Sequence, residues 1–197
     1  MNARQLLSLV AGLSGLIACA KKADAPPVDT SAAQVVAPSD SAAPAVASAL
    51  NDANIVFILD QANASDSARG TLASTKGSSA DVKDFGRMMA GEHHALRQQG
   101  QRLATKLSVT AAAPANDMSV AEAQKEMETL MAEAKGKSWD VAYMNFEVTF
   151  HKAVLDIATK ALGAAQNEEL KDLIKQAAPI IQKHLDRAVA IQSKLAK

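Results

Sequence analysis

From about residue 50 to near the C-terminus of the 197-residue chain, apolar and polar positions alternate with helical spacing. The pattern predicts a first helix over 51–76, stopped by Gly77, and a second over 80–108, opened by Ser78 or Ser79 as N-cap. The stretch "TAAAPAND" reads as a loop. Ser119 and Glu122 have the spacing of a capping box, which predicts a short helix over 119–135 closed by Gly136. Ser138 is placed to cap a fourth helix running to Leu162 and ended by Gly163. Asn167 opens a fifth, which carries Pro179 and is expected to bend there. Short turns join the first to the second helix and the fourth to the fifth, so each pair is expected to form an antiparallel hairpin. The longer connection with its own small helix suits a crossover between hairpins, and a plain up-and-down bundle is the alternative.

Side chains advance by 100° per residue along a helix, so inward directions can be counted. On the fourth helix, with Tyr143 at zero, Trp139, Phe146, Phe150, Val154 and Ile157 fall within about 60°, while Asn145, Thr149, Lys152 and Asp156 lie opposite. Glu147 falls near 40° and His151 near 80°, within or at the edge of the apolar arc. On the second helix Phe85, Met89, Leu96, Leu103 and Leu107 cluster. Glu92 then lies about 20° from Phe85, His93 sits on the flank and His94 points outward. On the fifth, His184 falls among Leu170, Ile174, Ala177, Ile181, Leu185 and Ala188. Three helices thus each direct a histidine inward, and two add a glutamate. Met88, Met89 and Met144 read as core filling, and Trp139 and Tyr143 as packing at the start of the fourth helix.

The N-terminal fifty residues follow another rule. A head with one positive charge, "MNARQ", precedes "LLSLVAGLSGLIA", an apolar run of the length of a signal-peptide core and too short for a spanning helix. Leu16, Ile17 and Ala18 lead into Cys19, the chain's one cysteine, in a pattern that resembles the bacterial lipobox. That resemblance implies a thiol that is lipidated, a leader that is removed and a new N-terminus that is acylated. Several acyl chains on one residue anchor firmly where one chain binds only marginally. Ala20 is not the aspartate that tends to retain such proteins in the inner membrane, so the expected location is the outer membrane, facing the periplasm. Residues 20–48 hold four of the six prolines with much alanine and serine and no periodicity, the composition of a disordered tether. The expected organisation is a signal peptide over 1–18, a lipidated cysteine and linker over 19–48, and a helical domain over 50–192.

Composition sharpens this reading. Lysine plus arginine and aspartate plus glutamate both number 21, so there is no basic footprint for nucleic acid. Aromatic residues are only 3% and alanine-rich helix formers dominate, which favours helix over sheet. No phosphate loop, Cys-x-x-Cys pair, nucleophile elbow or His-Glu-x-x-His motif occurs. The remaining chemistry is Glu92, His93, Glu147, His151 and His184. A buried carboxylate costs several kcal/mol unless paired, hydrogen-bonded or metal-bound. Imidazole with carboxylate suits a divalent transition metal such as zinc, iron, manganese, nickel or copper. A polar core network without metal is the other resolution.

A bundle of two hairpins joined by one long crossover is the ferritin-like variant of the four-helix bundle. The stretches "DFGRMMAGEHHAL", "WDVAYMNFEVTFHKAVLDIA" and "ELKDLIKQAAPIIQKHLDRA" resemble the signature regions of the domain-of-unknown-function 4142 family, bacterial envelope proteins with a ferritin-like helical fold. The family's acid–histidine pair falls on Glu92 and His93, its aromatic-Asp…Tyr…His pattern on Trp139, Asp140, Tyr143 and His151, and its Pro…His-Leu segment on Pro179, His184 and Leu185. Where the family carries an "EIEAGKLA"-like segment in its first helix, this chain has "DSARGTLA". Only Asp66 matches a carboxylate there, and its counted direction lies at or beyond the edge of the inner face. Neither Glu92 nor Glu147 is followed by a histidine three residues on, as di-iron members of the ferritin-like superfamily require. The leading expectation is therefore a non-enzymatic lipoprotein domain that binds an envelope partner or serves envelope maintenance and stress tolerance. A metal-binding or storage module is the second.

Overall fold

The computed structural model describes residues 50–197; the leader, Cys19 and the tether lie outside the described residues. Five helices and no strand are found among them: α1 (Asp52–Lys76), α2 (Ala80–Lys106), α3 (Ser119–Ala132), α4 (Lys137–Ala164) and α5 (Glu168–Leu195). The chain is all-α over this range, a helical bundle. None of these helices is long and apolar enough to cross a membrane.

The ends of the helices are tied to one another, and those ties give the path of the chain. At one end Asp52, at the start of α1, accepts the backbone N–H groups of Gln166 and Asn167 ahead of α5, at 2.8 and 3.1 Å. Lys106, closing α2, pairs there with Glu169 of α5. At the other end Asp140 of α4 accepts the N–H groups of Ser78 and Ser79 in the α1–α2 turn, at 2.8 and 2.7 Å, and Lys194 of α5 reaches Asp81 of α2. Helices α1 and α5 thus run one way and α2 and α4 the other. The 107–136 segment carries the chain from the far end of α2 back along the bundle, with α3 packed against α1. Lys76 holds the end of α3 by donating to the carbonyls of Leu130 and Met131.

Several expected helix boundaries shift. Ser79, not Ser78, caps α2, accepting the N–H of Val82. α2 stops at Lys106 because Ser108 turns to φ 55°. The capping box at Ser119 does not form: Met118 takes the cap position and the Ser119 hydroxyl donates to Asp117 instead. α3 ends at Ala132, ahead of Gly136. Ser138 lies inside α4, whose start is set by tertiary contacts, the Asp140 carboxylate and the Trp139 indole N–H donating to Leu130 at 2.7 Å. Gly163 does not end α4, which continues to Ala164. α5 runs unbroken through Pro179.

Two glycines set how closely the first hairpin packs. A Cβ on Gly70 would stand 2.6 Å from the backbone N of Ala90, and one on Gly86 would stand 2.6 Å from that of Ser74. α1 and α2 therefore touch backbone to backbone at this point, and Ser67 reinforces it by donating to the Ala90 carbonyl at 3.0 Å. This contact brings Asp66 and Arg69 on α1 opposite His93 on α2.

Apolar side chains form two clusters. One, around Phe85, Met89, Leu130, Trp139, Tyr143, Met144 and Leu185, fills the end near the α1–α2 turn. The other, around Ile55, Val56, Ala104, Ala161, Leu170 and Ile174, fills the opposite end. Met89 and Met144 are core, as expected, with Met88 packed at the edge. Between the clusters lies a layer of buried polar side chains.

Candidate metal centre

His93, His151 and His184 all face the interior, and their side chains are 2%, 0% and 0% exposed. Glu147 is fully buried beside them, whereas His94 is exposed and bonded to Gln98. Glu92 departs from expectation: its side chain is 40% exposed, at the rim. The buried positions on α2 and α4 explain this, since both arcs centre roughly 50–60° from Phe85 and Tyr143, on the histidine side. That rotation carries His93, Glu147 and His151 to the middle and Glu92 outward. Phe146 and Phe150 move off the core axis and are only part-buried.

Asp66 and Arg69 are the residues that the reading of the sequence misplaced or omitted. Both are 1% exposed. Asp66 is on the line of Ile55 and Ala73, at the centre of α1's inner face rather than at its edge. The face went unseen because around Asp66 it is built from small and polar residues, Ser65, Arg69, Gly70 and Ala73, which leave little hydrophobic signal. The spacing of Ile55, Asp66, Gly70 and Ala73 on one stripe is the signal that marks it.

The hydrogen-bond network assigns the imidazole protons. Asn63 donates its amide N–H to the Leu59 carbonyl at 2.7 Å, so its Oδ1 faces His93 Nδ1 at 2.9 Å and requires a proton on that nitrogen. His184 Nε2 meets the Glu92 carboxylate at 2.8 Å and carries a proton in the same way. His151 Nδ1 donates to the Glu147 backbone carbonyl at 2.9 Å. In neutral rings the remaining nitrogens, His93 Nε2, His184 Nδ1 and His151 Nε2, then carry only lone pairs. Yet His93 Nε2 and His184 Nδ1 stand 3.1 Å apart. Two neutral imidazoles hold two protons, and the three contacts of this pair need three positive hydrogens. With both rings neutral, one of the three contacts has no hydrogen to form it.

A proton is disfavoured on His93 and on His151. Burial, followed by the charges of His184, His151 and Arg69, lowers His93 to about 4 against the pull of Asp66. His151 is lowered too, chiefly by burial. The donors of a metal site are also present. The three histidines offer ring nitrogens within 4.8 Å of one another. Asp66 Oδ2 lies 3.5 Å from His93 Nε2 and 4.0 Å from His151 Nε2. Ligands about 2.0–2.1 Å from a tetrahedral zinc stand about 3.3 Å from one another, and the His93–His184, His93–Asp66 and His151–Asp66 separations of 3.1, 3.5 and 4.0 Å bracket that value. Each imidazole also donates its other N–H to a fixed acceptor, the arrangement that orients metal-bound histidines.

Beside this group lies a second. Arg69 pairs with Asp66 Oδ1 and, at 3.5 Å, with Glu147 Oε1. Its guanidinium carbon sits 4.5 and 4.4 Å from the ring centroids of Phe146 and Phe150. Asp66 and Glu147 raise its pKa although burial opposes them. Burial, then the charge of Asp66, pushes the Glu147 carboxyl well up, and burial and Glu147 do the same to the Tyr143 hydroxyl. Among the described residues, the buried side-chain atoms with no hydrogen-bond partner are Arg69 Nε, the Tyr143 hydroxyl, both Glu147 oxygens and His151 Nε2, all in this layer. Two cavities approach it. One of about 330 Å³ between α1, α2 and α5 reaches Asn63, and one of about 440 Å³ between α1, α3 and α4 ends on Arg69 and Glu126.

The family described as Domain of unknown function (DUF4142) matches residues 36–191, which takes in α1 to α4 and most of α5. No curated protein and no solved structure matches the chain.

Proposed function

From the premise that the chain belongs to the DUF4142 family, we propose that it is a ferritin-like four-helix bundle that binds one divalent transition-metal ion through His93 Nε2, His151 Nε2, His184 Nδ1 and Asp66 Oδ2. The carrying observation is the donor set: three buried imidazoles whose second nitrogens are all committed, with His93 Nε2 and His184 Nδ1 3.1 Å apart and Asp66 Oδ2 at 3.5 and 4.0 Å from His93 Nε2 and His151 Nε2. The path of the chain, two hairpins joined by a crossover that runs the length of the bundle, supports the ferritin-like reading. Glu92, at the rim, acts in this reading on the His184 N–H rather than as a ligand. Glu147 likewise orients His151 from outside the ligand set, through its backbone carbonyl.

The sequence ahead of the bundle adds a location. The lipobox at Cys19 and the linker after it support a protein hung from the outer membrane into the periplasm, with metal binding or storage in the envelope as its role. Binding to an envelope protein partner has no comparable observation behind it.

Elemental analysis tests the metal reading. Protein loaded with Zn(II) and dialysed is expected to retain one ion per chain, and a His151→Ala, His184→Ala double variant to retain none. Wild-type protein that keeps no stoichiometric metal would overturn it.

A further inference from the structure

Asp66 faces two ways. Its Oδ2 lies 3.5 Å from His93 Nε2 and 4.0 Å from His151 Nε2, while its Oδ1 holds Arg69. Asp66, Glu147 and His151 form a second group of potential ligands, sharing Asp66 and His151 with the first site. A carboxylate that bridges two such groups is the geometry of paired metal ions, which sit about 3.5–4 Å apart. Here the second group already surrounds a cation. The guanidinium lies between Asp66 Oδ1 and Glu147 Oε1, and Phe146 and Phe150 flank it.

Resting on the metal reading above, we infer that Arg69 occupies the second cation position of this centre and thereby limits it to one metal ion. An arginine keeps its charge under any physiological condition, so it cannot step aside by losing a proton. Two dications beside Arg69 would raise the positive charge facing the two carboxylates, Asp66 and Glu147, well beyond what one dication and Arg69 already bring, in a site withdrawn from bulk solvent. The packing also leaves the guanidinium little freedom to withdraw, since it is 1% exposed. Removing it would free Asp66 Oδ1 and Glu147 Oε1, beside a cavity of about 440 Å³ able to supply water ligands. Arg69 is therefore a specificity-determining residue, fixing stoichiometry without touching the bound ion.

The test is titration of Co(II) into wild-type, Arg69→Ala, Arg69→Met and Arg69→Lys protein, read by visible absorption and electron paramagnetic resonance. The wild type and Arg69→Lys are expected to saturate at one ion per chain, with the spectrum of an isolated ion. Arg69→Ala and Arg69→Met are expected to double to two, with exchange coupling between them; the methionine fills the slot between the two phenylalanines should the alanine variant fail to fold. Folded Arg69→Met that stays at one ion overturns the inference and leaves the metal reading standing. Two ions in the wild type or in Arg69→Lys also overturn the inference alone. No binding in the wild type overturns both.

Discussion

The two ends of the bundle and its middle are buried to the same degree and built by opposite rules. At the ends, Phe85, Trp139, Ile55 and Leu170 are withdrawn from water and stabilise the fold simply by being withdrawn. In the middle, Asp66, Arg69, His93, Glu147, His151 and His184 are equally withdrawn, and there burial works against each charge unless a partner answers it. Even after every pairing the layer retains unpartnered atoms and one contact that lacks a proton. The ends hold the helices at fixed spacing, so the middle cannot collapse to relieve itself.

The contrast can be broken first at its strong end. Trp139→Ala removes a fully buried ring and the indole bond to Leu130, and is expected to cost about 3–5 kcal/mol in denaturant melts. The cost should be alike with and without metal, and retained Zn(II) should stay at one per chain. A variant that folds but has lost the ion would show that the two layers are not separable.

A smaller effect sharpens the middle. In the unfolded chain His93 takes up its proton near 6.5, and in the folded one only at about 4. The unfolded state thus binds more protons across that window, so His93 adds stability as pH rises from about 4 to 6.5 and subtracts it as pH falls. Glu126, raised to about 7 mainly by burial, acts with the opposite sign, losing stability as pH rises towards 7. Comparing metal-free wild type with His93→Gln cancels that shared contribution. The stability of the wild type relative to the variant is expected to increase as pH is raised through the window. A difference that stays flat would contradict the buried, neutral state assigned to this ring.

The same contrast explains what the sequence reveals. The helices and hairpins are legible because Gly77, the Ser79 cap and the Asn167 cap punctuate strong apolar stripes on α2, α4 and α5. His184 is legible because its helix has a well-marked face. Glu92 is misread because Phe85, taken as the centre of its stripe, lies at one side of the buried arc, and an error of half a quadrant exchanges neighbours. Asp66 and Arg69 are the hardest to read, since α1 packs by close backbone contact at Gly70 and Gly86 and leaves little hydrophobic pattern. Ser119 fails as a cap because its hydroxyl turns back to Asp117, and Ser138 because long-range contacts, which no local pattern records, decide where α4 begins.

The central claim is that one ion completes the polar layer, and a crystal structure of Zn(II)-loaded protein with anomalous data at the zinc edge tests it most directly. The account predicts one anomalous peak per chain, within bonding distance of His93 Nε2, His151 Nε2, His184 Nδ1 and Asp66 Oδ2, with Arg69 still held between Asp66 and Glu147. Zinc found only on the surface, at His94 for example, with His93 Nε2 and His184 Nδ1 still in direct contact, would contradict it.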